Sequence, residues 1–468
     1  VKGEGRLEQV GAKVQQLISG ANPVMYWLSF WITDVLMATL TSCCVMAMMA
    51  MNVTEEYLGG ERAGVTALIL LLFPFAMTAF SYYLSFKYET ATTAQMGILS
   101  VNFCSFVFAQ VYRIGTRDKG HIVPLDLLLC LSPLYALVRG LGNISECYDT
   151  DLSDGCEDAH LWRLSKSGGQ MFMLCFDAVL YFSLVLYNEY HTPIQMWLNG
   201  GKKVENVAEK NELKLPLDFG DDTVKKEMLD VGGMKPDEQA MVIREVSKVY
   251  LSTAPEKEAH TQAATRVCLS AKVGECVGVL GISGAGKTTL LSMCAGDLKP
   301  SAGSIHLMGH DVAVSQGALA KILGYCPQEN AIFEDLTVQE HLEIYAGIKG
   351  LKGHLLDMEV RSKIKQLSLD IYANKAAGSL SGGNKRKLSV AMALISDPPV
   401  VIMDEPSTGV DPAARRFLWN VVSEISSVQK KSAVLLSSCY TDEACARSRI
   451  FFSPSPVVLA WNACGDEE

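Results

Sequence analysis

Five apolar runs crowd the first 190 residues: Pro23–Met51, Val65–Phe86, Ala94–Tyr112, Ile122–Leu141 and Gln170–Tyr187. Each approaches the ~20 residues that an α-helix needs to cross a bilayer. Backbone polar groups in hydrocarbon must be satisfied within their own segment, so runs of this kind are helices. A soluble core holds one or two such helices, but not five in so short a stretch. The whole-chain composition agrees, with 49% hydrophobic residues and a mean hydropathy of +0.18. Residues 1–190 are therefore expected to form a multi-pass α-helical membrane domain. No secretory signal pattern precedes the first run. The chain begins at Val1 without a methionine and is expected to be a fragment of a longer protein.

From His191 to about Ala240 the text turns charged and turn-rich, with Lys202-Lys203, Lys225-Lys-Glu227 and Gly232-Gly233, and reads as a cytosolic linker. A third pattern starts near Met241 and continues to Glu468. Cys276-Val-Gly-Val-Leu280 is a buried-strand run, and it leads into Gly281-Ile-Ser-Gly-Ala-Gly-Lys-Thr288, which fits G-x-x-x-x-G-K-[ST]. Gly281, Ser283, Gly284, Ala285 and Gly286 form a loop whose N–H groups curl around phosphate oxygens, and a helix starting near Lys287 points its positive end at the same anion. In such a loop Lys287 reaches the β and γ phosphates, Thr288 holds Mg²⁺ and Thr289 lies beside it.

A second apolar strand, Val400-Val-Ile-Met403, ends in Asp404-Glu405. That puts one carboxylate beside the metal and the next within reach of an attacking water, so Asp404 is the metal-side acid and Glu405 the general base. An exposed acidic pair at a strand end is the plainer reading in isolation, and the upstream Lys287 loop reverses it. Leu380-Ser-Gly-Gly-Asn384 opens a helix over Lys385 to Ile395, with Ser381 as N-cap and Leu388, Met392 and Ile395 on one face. Ser381, Gly382 and Gly383 give close backbone approach to an anion, a second grip far in sequence from the first. Two grips on one chain imply that each closes on a nucleotide held mainly by another copy.

These residues resemble the ATP-binding cassette (ABC) transporters, with the spellings of their A subfamily of lipid exporters. The resemblance rests on Gly324-Tyr-Cys-Pro-Gln328, Leu336-Thr337, Glu340-His-Leu342, Leu380-Ser-Gly-Gly-Asn-Lys-Arg-Lys-Leu-Ser389, Asp404-Glu-Pro-Ser-Thr-Gly-Val-Asp-Pro412, Ala414-Arg-Arg416 and Trp419. It implies a cytosolic α/β P-loop ATPase domain binding ATP and Mg²⁺, paired with a second nucleotide domain. By the same resemblance Gln328 senses the γ-phosphate, touches the metal and couples to the membrane domain. Asp411 would contact the opposing domain, and Tyr250 would stack on adenine. Arg6, Lys13, Gln16, Ser19-Gly20, Tyr26-Trp27 and Asp34 resemble the subfamily's cytosolic coupling helix and adjoining span. An even number of crossings follows, so Ile122–Leu141, with Pro124, Asp126 and Pro133, is expected to re-enter rather than cross. The outer side then carries the sequons at Asn52 and Asn143 and a candidate Cys147–Cys156 pair.

One element departs from the family. Its switch histidine follows the last core strand, whereas Ala433-Val-Leu-Leu-Ser-Ser438 leads here into Cys439, a weak donor. After Arg449-Ile450, Ser453-Pro-Ser-Pro456 and a short tail stand where the family continues with a strand and a C-terminal lobe. Weakened hydrolysis with ATP binding retained is the expectation, and a non-hydrolysing ATP-binding regulatory half, or a truncated non-functional fragment, is the alternative. Broad apolar spans without a charged pathway fit a lipid substrate, with Asp34 and Asp177 the carboxylates in or near spans. Cys43, Cys44, Cys104, Cys130 and Cys175 read as small packing residues. A net charge of −10 argues against a nucleic-acid partner.

Overall fold

The computed structural model describes residues 12–52, 55–60, 62–88, 91–116, 128–151, 161–162, 167–195, 229–250, 261–281, 284–314, 316–438, 449–453 and 459–461. They fall into two compact units, one within Pro23–Gln195 and the other combining Val1–Asn22 with Met196–Glu468.

The first unit is helical: α1 (Pro23–Asn52), α2 (Arg62–Ser85), α3 (Ala91–Thr116), α4 (Pro133–Asp151) and α5 (Ser167–Gln195). Four of these, α1, α2, α3 and α5, are long and apolar enough to cross a membrane. The run Ile122–Leu141 yields no such helix among the described residues. Its chain turns at 130–132, and Pro133 then starts α4, which carries the buried Arg139 in an ion pair with Glu146 at 3.4 Å. α2 and α5 pack through Ile69, Leu174 and a Phe80–Tyr181 ring contact at 4.8 Å.

Two readings need correction. Asn143 is buried and its amide donates to Gln170 Oε1 at 3.3 Å, so this sequon presents no free acceptor; the Asn52 side chain lies outside the described residues. Cys43, Cys44, Cys104 and Cys175 are exposed on outward helix faces and only Cys130 is buried, because a thiol is apolar enough to face lipid and packing does not require it. Asp177 is fully buried, and neither carboxylate oxygen has a hydrogen-bond partner among the described residues. Cys147 is disulfide-bonded, while Cys156 lies outside the described residues.

The second unit has two sheets. β1 (Met241–Tyr250), β2 (Thr261–Ala271), β4 (Ala302–Leu307) and β5 (His310–Asp311) form an antiparallel sheet in the order β2-β1-β4-β5. β3 (Cys276–Gly281), β6 (Leu323–Cys326), β7 (Val400–Met403), β8 (Ala433–Ser438), β9 (Arg449–Ser453) and β10 (Leu459–Trp461) form the other, in the order β10-β9-β3-β8-β7-β6. β3 pairs in parallel with β8 and β9, and β7 with β8 and β6, so their C-terminal ends line one edge. These strands are continuous apolar runs because both faces are covered. The helices on them are α6 (Lys287–Ala295), α7 (Val338–Ile348), α8 (Gly353–Gln366), α9 (Gly382–Ala393) and α10 (Pro412–Ser423). α7 starts at a capping box formed by Thr337 and Glu340. Strand pairing runs past the expected break at Ile450, since Phe451 and Phe452 continue the register against Val279 and Leu280 and Leu459–Trp461 adds an antiparallel edge. Apolar residues and a strand partner outweigh the loss of family spelling there.

Residues 12–18 are helical and belong to this second unit. Gln15 is buried and its amide donates to Tyr325 O at 3.2 Å, while Ile18 joins the core under β3. Gly20 closes the segment with φ +110°, and a Cβ there would lie 2.8 Å from Ala320 Cβ.

Candidate nucleotide site

The loop after β3 and the acidic pair after β7 meet because their strands end on the same sheet edge. Gly284 and Gly286 adopt φ of +83° and +85°, which turns successive N–H groups into one concavity. A Cβ on Gly286 would lie 1.9 Å from Ala263 O, so only glycine fits. Gly286 is also the N-cap of α6, and Ala285 is buried. Lys287 is 5% exposed; its Nζ donates to Gly281 O at 2.7 Å and lies 3.5 Å from Glu405 Oε1. Ser283 lies outside the described residues.

Glu405 is held on every side. Gln328 Nε2 donates to its Oε2 at 3.3 Å and Thr408 Oγ1 to the same atom at 2.9 Å. Its own N–H donates to Ser437 Oγ at 2.8 Å. The residue sits at φ +44°, a left-handed conformation that a side chain adopts only when its surroundings enforce it. Ser437 donates in turn to Asp404 Oδ1, so one hydroxyl on β8 positions both acids. Burial pushes the Asp404 carboxyl above the usual range, opposed by the Ser437 and Thr288 hydroxyls. Its Oδ2 is buried without a hydrogen-bond partner among the described residues.

That orphaned oxygen, the Thr288 hydroxyl and the Gln328 side-chain oxygen are hard oxygen donors of the kind Mg²⁺ takes. No cluster of three His, Cys, Asp or Glu suited to a metal occurs among the described residues. Such a site fits a cation that keeps water and phosphate ligands rather than a closed protein cage.

Arg386 of α9 joins the parts. It is 2% exposed and donates to five carbonyls: Pro327 at 2.7 Å, Gln328 at 3.0 Å, Asp404 at 2.7 Å, Glu405 at 3.0 Å and Pro406 at 2.9 Å. Arg386, Ser437 and Thr408 are the functional residues that motif reading passed over. The signal for the first was a cation on the apolar side of a helix, and for the second a serine ending an apolar strand.

Ser381 is confirmed in place as the N-cap of α9, accepting from Asn384 N at 3.4 Å, but the helix spans Gly382–Ala393, starting before Lys385 and ending before Ile395. Ser381 and Gly382 are exposed, with open space where a Gly382 Cβ would stand. Asp411 caps α10 through Oδ1, which accepts from Ala413 and Ala414 N–H at 3.0 Å each. Its Oδ2 lies 3.4 Å from where a Gly383 Cβ would be. This second cluster makes no hydrogen bond to Lys287 or Glu405 among the described contacts. Tyr250, at the end of β1, is 41% exposed, with its hydroxyl 3.5 Å from Thr289 Oγ1.

Cys439 lies outside the described residues. His341 of α7 is committed to other partners. That ring is 1% exposed, its Nε2 accepts from Phe333 N at 2.9 Å, its Nδ1 lies 2.7 Å from Thr337 O, and burial lowers its pKa.

Known proteins resemble this chain over most of its length. The family described as ABC transporter matches residues 264–408, and the ABC-2 family transporter protein matches residues 8–187. Over 448 residues, 92% of this chain, human retinal-specific phospholipid-transporting ATPase ABCA4 is 32% identical. The chain belongs to the A subfamily of ABC transporters. It is a multi-pass integral membrane protein with its nucleotide domain in the cytosol. Mouse ATP-binding cassette sub-family A member 7 is 32% identical over 446 residues, again 92% of this chain. The chain spans about a fifth of the length of these relatives, 19% of the first and 20% of the second. Among solved structures, a dimeric ATP-binding cassette bound to ADP and Pi is 23% identical, with TM-score 0.44, covering 48% of this chain and 100% of that one.

Proposed function

We propose that this A-subfamily chain is one half of an ATP-driven lipid transporter, in which a membrane domain (1–190) is joined by a linker (191–240) to a nucleotide domain (241–468). The observation that carries the reading is the convergence of Lys287, Gln328 and Asp404 around Glu405. When ATP binds, Lys287 exchanges its Glu405 contact for phosphate oxygens, and the freed Glu405 carboxylate polarises the attacking water as Gln328 and Thr408 hold it. Asp404 and Thr288 would hold Mg²⁺ with Gln328 beside them; the cation supplies charge neutralisation at the phosphates. Tyr250, exposed at the end of β1, would stack on the base.

The exposed Ser381–Gly383 edge and Asp411 serve a nucleotide held by a second nucleotide domain, in the other half of the same protein or in another chain. What supports this is their separation from the Lys287 cluster and the open space at Gly382. The lipid substrate rests on the apolar helices and on the phospholipid-transporting relative. Cys439 in place of a histidine supports the second reading, a clamp that binds ATP and turns it over slowly.

Nucleotide affinity and turnover of the purified chain test both. Lys287→Ala should abolish MgATP binding, while Glu405→Gln should keep binding and lower turnover by about 10²–10⁴-fold. Unchanged affinity in Lys287→Ala refutes the site. A large gain in turnover on Cys439→His identifies the slow clamp, and no gain removes it.

A further inference from the structure

The end of β1 is tied to the phosphate loop more closely than strand pairing alone requires. Between β1 and β2 the register skips one residue: Lys248 lies opposite Ala264 and Val249 opposite Gln262, so Ala263 has no counterpart. Such a bulge bends its strand and re-aims the side chains beside it. The Ala263 carbonyl is the atom that a Cβ on Gly286 would strike, so the bulge abuts the glycine loop. On the other side of β1, Ser301 N–H donates to Ser247 O at 2.8 Å, and Val249 N–H donates to Ser301 Oγ at 3.2 Å. Ser301 lies in the connection from α6 to β4.

Two side chains at this strand end add contacts of their own. Lys248 is partly buried; its Nζ donates to Lys299 O at 2.7 Å and stands over the Tyr250 ring, 5.7 Å from the centroid. A cation within about 6 Å of a ring centroid is attracted to the ring face. The Tyr250 hydroxyl lies 3.5 Å from Thr289 Oγ1, in the first turn of α6. The ring is thus fixed at two points, its face under an ammonium and its hydroxyl at the helix that starts from the glycine loop. A lysine that only decorated the surface would extend its ammonium into water. Here burial lowers the Lys248 pKa, and the Lys299 carbonyl answers the charge that remains.

We propose that Lys248 is a positioning residue for the nucleobase: its ammonium, anchored on Lys299 O, holds the Tyr250 ring so that the base of a bound nucleotide stacks on the opposite face. The inference rests on the reading of Tyr250 as the stacking ring. Lys287 serves the phosphates and Lys248 serves the base, so the two lysines are separable by ligand. Every base has a π face, so ATP and GTP gain alike. Inorganic tripolyphosphate, which has the phosphate chain and no base, gains nothing.

The test is equilibrium binding of MgATP, MgGTP and magnesium tripolyphosphate to the purified full chain. Lys248→Met keeps an unbranched apolar stem and removes both contacts. It should weaken MgATP and MgGTP by about two- to fivefold, the size of a partly exposed cation–ring contact, and leave tripolyphosphate unchanged. Lys248→Arg keeps a cation able to stack and to donate, and should restore most of the loss. Once Tyr250→Ala has removed the ring, adding Lys248→Met should cost nothing further. If Lys248→Met does not fold, Lys248→Gln, neutral but still a hydrogen-bond donor, decides in its place. Equal weakening of tripolyphosphate and MgATP, no recovery in Lys248→Arg, or additive losses in the double variant overturns the proposal. Native MgATP affinity in Tyr250→Ala also overturns it, while loss of binding in Lys287→Ala would leave the nucleotide site standing. A native chain that binds none of the three ligands removes the site and this inference together.

Discussion

Replacing Arg386 by lysine tests the joint between α9 and the Asp404–Glu405 pair. The guanidinium donates to five carbonyls, from Pro327 to Pro406, at 2% exposure. Lysine has three N–H donors against arginine's five, so at least two of these carbonyls lose their partner. At about 1–1.5 kcal/mol for each lost hydrogen bond, Arg386→Lys should cost about 2–3 kcal/mol. For a unit of this size that is about 2 °C per kcal/mol, a fall in melting temperature of about 4–6 °C. Arg386→Met removes the charge and all five donors, and should cost about 3–5 kcal/mol. Because Gln328 and Glu405 are both held by their carbonyls, MgATP affinity should fall in the lysine variant as well. The assay is thermal unfolding of the purified chain with and without MgATP. If Arg386→Lys melts within a degree of the native chain and binds MgATP equally well, the carbonyls are satisfied some other way and the joint is not structural.

Two further outcomes follow from the same unit. Gly286→Ala meets Ala263 O at a distance no carbon tolerates and forces φ +85° on a side chain, so nucleotide binding should be lost while Gly284→Ala, with open space around it, should be milder; dye-labelled ATP binding compares them. Burial lowers Lys349 to about 8, with its Nζ donating to the Ala320 and Leu323 carbonyls. The unfolded chain then holds this proton up to the usual lysine range near 10.5 while the folded chain releases it near 8, so folding stability gains with rising pH across that window. Lys349→Met should flatten that part of a denaturant-midpoint profile, and an identical slope in both proteins would remove Lys349 as its source.

The elements most legible in the sequence were those whose chemistry is local. The strand before Gly281, the glycines of the loop and the acids after Val400–Met403 are adjacent residues with one backbone solution each. Ser437 and Arg386 were hidden because their roles depend on which strands become neighbours. β8 lies between β3 and β7 in the sheet, and that order is not written in any one segment. Asn143 misled for a related reason: a sequon is a local pattern, whereas its burial against Gln170 comes from how α4 meets α5. The outward cysteines misled because small residues in a spanning helix suit both a packed and a lipid-facing side, and the composition of α1 separates the two poorly.

The hydrogen bond from Gln15 to Tyr325 joins residues 310 positions apart, with the entire helical unit between them. A ribosome adding roughly 5–20 residues per second leaves the Gln15 amide waiting roughly 15–60 s for its carbonyl. During that interval the leading segment lacks the Tyr325 carbonyl, and the four candidate spanning helices among the described residues are made before it exists. Synthesis of those helices thus precedes closure of the nucleotide fold, so the Gln15 contact forms late in the order of synthesis.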